Sequence, residues 1–148
     1  MQSKILQEIE HPKLSALDKL WREKCDTKSI PMRTDFDIFE LLPWMGNLTI
    51  LEVIEGGKDF YFRLHGTNIV NLYGYEMTGK YVSELTEEIG VTIFREYREL
   101  MQRREPMLIQ RKHVHPGREY TKIIKLLLPL SPDGETINQI FSCFYPVR

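Results

Sequence analysis

A few residues have types and spacing that could do chemistry. Arg63 and His65 stand two apart in the run Phe60-Tyr61-Phe62-Arg63-Leu64-His65. On an extended strand that spacing puts both side chains on one face. Arg supplies a planar two-pronged donor and His a titratable one, so the pair suits a small carboxylate or another anion. The competing reading is an Arg paired with a carboxylate and a hydrogen-bonded His at a strand end. His113 and His115 form His-x-His, whose imidazoles would share one side of a strand and could hold zinc or a similar divalent ion. A third ligand is not evident; His65 could serve only if the strands approach, and a polar strand end before Pro116-Gly117 is the favoured reading. Tyr73, Tyr75 and Tyr97 could line a pocket with their hydroxyls or pack a core.

Other chemistries lack their residues. There is no Gly-x-Ser-x-Gly, no phosphate loop and no His-Glu-x-x-His, and neither Ser131 nor Ser142 has an identifiable base. Cys25 and Cys143 are the only cysteines, which excludes a disulfide framework and a four-thiolate zinc site and suits a reducing compartment. Arg103, Arg104, Arg111, Lys112, Arg118, Lys122 and Lys125 make the later part locally basic. No stacking aromatics or reading helix accompany them, so a solvated face is expected and nucleic acid is not. The formal charge of -1 over 148 residues agrees. Met1 to Glu10 builds neither a signal-peptide core nor a membrane span, and the expectation is a cytoplasmic protein. A chain of this length with 42% hydrophobic and 28% charged residues reads as one ordinary globular domain.

The elements that must position these residues follow from pattern and punctuation. Pro12 opens a helix to about Cys25, with Leu14, Leu17, Leu20 and Trp21 on its apolar face. Thr34 to Asp37 offers cap chemistry for a short helix containing Ile38, Phe39, Leu41 and Leu42. Leu48–Ile54 and Phe60–His65 read as a hairpin around Glu55-Gly56-Gly57-Lys58-Asp59. Thr67 or Asn68 caps a short helix stopped by Gly74, and Ser83 to Leu85 reads as one helical turn. A longer helix spans about Ile89 to Arg104. Three strand segments close the chain: Met107–His115, Glu119–Leu128 and Thr136–Tyr145. Pro129 should end pairing or sit at an edge. The order predicts an α+β domain with a five-stranded, mostly antiparallel sheet, short helices on one face. Both sheet faces read as partly apolar, so the N-terminal helix should cover the second face, in its own chain or on a dimer partner through Leu14, Leu17, Leu20 and Trp21. Residues 1–29 form the helical segment and residues 30–148 the main domain.

The stretch from Phe60 to Lys80, with Gly74-Tyr75 and Gly79, resembles the PAS sensor family, as does the Pro132-Asp133-Gly134 turn before a strand ending Tyr145-Pro146-Val147. The resemblance covers about Leu48 to Val147, and the upstream Leu20-Trp21 helix with Ile30-Pro31 resembles one bacterial PAS subfamily. Gly66 departs from the pattern, because many members carry Asn there.

The resemblance implies a PAS-like fold and a sensory or dimerising module rather than a catalyst. It places His65 near a ligand cavity and makes Arg63, His65, Ile69, Tyr73 and Tyr97 the ligand-facing set. The family's flavin cysteine motif is absent around Cys25 and Cys143, and Ile89 to Arg104 carries no haem-ligating His, so no tightly bound chromophore is expected. The expected function is a stand-alone regulatory domain that binds a small anion or a protein partner and signals as a homodimer or through that partner. Because the chain ends at Arg148, just after its last strand, an attached output domain is not expected. The rival is a small α+β-barrel lyase or isomerase with His65 as general base.

Overall fold

The computed structural model describes residues 3–74, 76–114 and 120–147. Its elements are β1 (Lys4–Leu6), α1 (Pro12–Cys25), α2 (Ile38–Leu41), β2 (Leu48–Ile54), β3 (Asp59–His65), α3 (Thr67–Tyr73), α4 (Glu87–Arg103), β4 (Met107–Val114), β5 (Tyr120–Leu130) and β6 (Gln139–Pro146). The strands form one antiparallel sheet in the order β1-β4-β5-β6-β2-β3. This is the expected α+β architecture with one strand more. The sixth, β1, spans three residues and is too short to show a period-2 pattern.

Local chemistry sets the ends. Pro12 occupies the start of α1, and His11 Nδ1 accepts from the Leu14 amide. Asp37 and Glu40 form a reciprocal capping box on α2. α3 starts differently from expectation, with Gly66 rather than Thr67 or Asn68 in the cap position. Gly74 ends α3 at φ 84°, the left-handed conformation that favours glycine. β6 begins later than expected because Asp133 Oδ1 accepts from the Glu135 and Thr136 amides, which holds them out of the ladder.

Pro129 behaves as its chemistry demands. β4 stops pairing at Met107 opposite Leu127, so β5 has a local edge beyond that point. There the Pro129 carbonyl accepts a 2.8 Å hydrogen bond from Trp21 Nε1.

The sheet has two unlike faces. Leu14, Leu17 and Trp21 of α1 are buried in one apolar core with Leu126, Leu128, Phe141 and Cys143. Leu20 packs against the same core. Burying each of these large side chains contributes roughly 1.5–3 kcal/mol. This cover lies within the chain, the first of the two arrangements expected for Leu14, Leu17, Leu20 and Trp21. The exposed large apolar residues include Ile38, Phe39 and Leu42 instead. The opposite face lies under α3 and α4. No helix among the described residues is long and apolar enough to cross a membrane.

Candidate functional site

Cross-strand register builds a polar belt on the face under α4. Lys125 on β5 pairs with Ile109 and Phe144, placing all three on one side. Arg111, two residues after Ile109, shares that side. Two residue pairs along, on the same side, Leu127, Ser142, Thr49 and His65 stand opposite one another across β5, β6, β2 and β3. Thr49, Ser142 and His65 are all buried, and the Ser142 hydroxyl makes no hydrogen bond among the described residues.

Glu96 of α4 descends onto this belt. Its Oε2 accepts from Arg111 Nε at 2.7 Å and its Oε1 from Lys125 Nζ at 3.0 Å. The side chains of Glu96, Arg111 and Lys125 are 3%, 0% and 1% exposed. Two cations therefore meet Glu96 inside the protein, away from water. Such charge requires compensation, since an isolated buried ion is strongly unfavourable. Tyr97 and Phe144 supply part of it: Lys125 Nζ lies 5.0 Å and 5.8 Å from their ring centroids.

The titration behaviour follows from this arrangement. Burial works against ionised Glu96, but Lys125 and Arg111 outweigh it and hold the carboxyl down at about 2. Burial pushes Lys125 down to about 8, with Glu96 opposing that shift and Arg111 adding to it. Glu96 is thus held ionised, and Lys125 is held below its ordinary value by burial beside a second cation. Between about 2 and the ordinary 4.5 of Glu96, the unfolded chain binds the extra proton. Stability should therefore be complete above 4.5 and fall as pH drops through that window, measured as the urea midpoint against pH.

A cavity of about 150 Å³ is lined by Ser3, Ile5, Met107 and Ile109 together with the charged Arg95, Glu96 and Glu99. An engineered protein cavity of roughly this volume admits benzene, which sets the scale of a fitting molecule.

The PAS domain family's sequence pattern matches residues 9–145. The chain belongs to the PAS domain family. No curated protein sequence matches it. Among solved structures, a light-oxygen-voltage domain studied with a flavin analogue aligns with TM-score 0.57 and 12% identity, over 75% of this chain and 84% of that one. An RNA-binding light-oxygen-voltage receptor aligns with TM-score 0.56 and 12% identity, over 99% of this chain and 38% of the receptor. The PAS domain of BvgS from Bordetella pertussis aligns with TM-score 0.50 and 17% identity, over 74% and 85%. At these identities the likeness concerns the fold.

Within this PAS domain the expected ligand-facing residues separate. His65 lies buried in the belt with its ring stacked on Phe62 at 5.5 Å. Burial pushes its imidazole down to about 4, which makes it a weak base at neutral pH. Arg63 does not accompany it. The register shifts between Ile50 and Leu51, so Leu64 pairs with Ile50, Phe62 with Leu51, and Arg63 is the extra, bulged residue. Its side chain is 64% exposed and lies 3.5 Å from Glu52. The bulge re-aims the strand and defeats the two-residue spacing argument.

Ile69 is buried with Ile123 and Phe144, and Tyr97 lies beside Lys125. The Tyr73 side chain, Tyr75 and His115 lie outside the described residues. His113 is buried on β4, and β5, β6 and β2 separate it from the β3 strand of His65. No group of three or more His, Cys, Asp or Glu able to hold a metal occurs among the described residues. The sequence suggested a solvated face for Lys125 and Arg111 and did not single out Glu96. A Lys, an Arg and a Glu at buried register positions were the available signal.

Gly66 has a steric reason to differ from the family pattern. A Cβ there would sit 2.4 Å from the Gly46 carbonyl oxygen. Asn68 instead donates to Asn47 Oδ1, and Asn47 donates to the Phe144 carbonyl, tying α3 to β6. Gly66→Ala should lower stability by about 1–3 kcal/mol, read from a denaturant midpoint.

Proposed function

We propose that this PAS domain is a sensory module that binds a small carboxylate at the buried Arg111–Lys125–Glu96 cluster. The observation that carries the reading is the convergence of two buried cations, Arg111 and Lys125, on Glu96 under α4, beside a small cavity. Arg111 and Lys125 would supply charge-assisted hydrogen bonds, and the Ser142 hydroxyl a further polar contact. The adjacent cavity fits a molecule of only a few non-hydrogen atoms. The reading moves the anion from Arg63 and His65 to Arg111 and Lys125. Binding would alter the packing of α4 on the sheet, and the signal would pass to a second copy or a partner protein in the cytoplasm. Neither catalysis nor a chromophore is part of this reading.

A thermal-shift experiment with acetate and pyruvate tests it. At a hundredfold excess over Kd, the ligand should stabilise the domain by about 2.7 kcal/mol. Lys125→Met leaves Glu96 paired with Arg111. That variant should stay folded and lose the shift. A shift of equal size in Lys125→Met would overturn the assignment.

A further inference from the structure

The N-terminal strand touches the same cluster from outside the sheet's centre. β1 holds the edge of β4 only at Leu108, Ile109 and Gln110. Ser3, just before it, donates a 2.8 Å hydrogen bond to Glu96 Oε2, the oxygen that also accepts from Arg111. Ser3 and Ile5 wall the cavity that abuts Glu96. We propose that β1 is a strap that closes this cavity, latched by the Ser3–Glu96 hydrogen bond, and that a small ligand reaches the cluster when the strap lifts.

The physical case rests on unequal anchoring. A three-residue edge strand with ladder bonds on one side belongs to the least stable part of a fold. A hydrogen bond to a carboxylate is roughly twice as strong as a neutral one, so Ser3 adds a strong anchor to an attachment that otherwise consists of three paired residues and the packing of Ile5 and Leu6. α1 is fixed independently, by Leu14, Leu17 and Trp21 on the other face of the sheet. Residues 7–11 connect the two elements and belong to neither, so β1 can leave while α1 stays. A ligand in the cavity would gain contacts with Ser3 and Ile5 and favour the closed strap. This last step rests on the carboxylate reading; the latch does not.

Hydrogen exchange on the full chain, followed by mass spectrometry, tests the strap. In the wild type the β1 amides should exchange faster than those of Leu126–Leu128 at the sheet centre. Ser3→Ala should speed β1 exchange about tenfold and leave Leu126–Leu128 unchanged, while Ser3→Thr retains the wild-type rate. Equal rates for β1 and the sheet centre, or no response to Ser3→Ala, would overturn the strap. Pyruvate should slow β1 exchange in the wild type. If Ser3→Ala opens β1 but neither acetate nor pyruvate slows exchange or shifts the melting temperature, the carboxylate reading falls and the latch stands.

Discussion

Glu96→Gln is expected to destabilise the fold by about 3–5 kcal/mol, because it leaves Arg111 and Lys125 buried together without their counter-charge. The glutamine keeps the shape and one acceptor but removes the anion between two cations. A domain of this size is stable by only about 5–15 kcal/mol in total, so the loss is a large share of it and the urea midpoint should fall markedly. Removing both sides of the interaction should behave differently. A triple variant, Glu96→Leu with Arg111→Met and Lys125→Met, has no buried charge left and should recover much of the loss. It should also lose part of the acid limb between 4.5 and about 2. Urea unfolding at neutral pH ranks the variants. If Glu96→Gln left the midpoint at the wild-type value, the cluster would not be a desolvated ion triad.

Trp21→Ala should be nearly as severe, at about 3–5 kcal/mol. The indole is buried between α1 and the sheet, and it also supplies the hydrogen bond to the Pro129 carbonyl. That carbonyl lies where β4 has ended, so the indole stands in for a missing ladder partner. The loss should appear in chemical denaturation and should not depend on protein concentration, since the contact is within one chain. A concentration-dependent loss, with a change in particle size by light scattering, would instead return Trp21 to an interface between copies.

Much of the fold was legible because local rules and tertiary packing agree in it. Pro12, the stripe of Leu14, Leu17 and Trp21, and Gly74 mark element ends and faces through covalent geometry and periodicity alone. The hairpin of β2 and β3 could be placed from β-branched runs around a glycine turn. What failed depended on register and distance. A single bulged residue at Arg63 cannot be seen in a sequence, yet it separates Arg63 from His65. Glu96, Arg111 and Lys125 lie on three elements, and nothing local distinguishes them from solvated charges. Their meeting is fixed by the pairing of Ile109 with Lys125 and by how α4 crosses the sheet. β1 was missed because three residues carry too little pattern. His65, expected near a ligand cavity, lies buried at the end of β3 before α3.

Isothermal titration of pyruvate into the wild-type chain and into Lys125→Met tests the central claim most directly. The account predicts one carboxylate bound per chain in the wild type, with binding abolished in a Lys125→Met protein that remains folded. Binding of equal strength in both, or none in the wild type for either pyruvate or acetate, would contradict it.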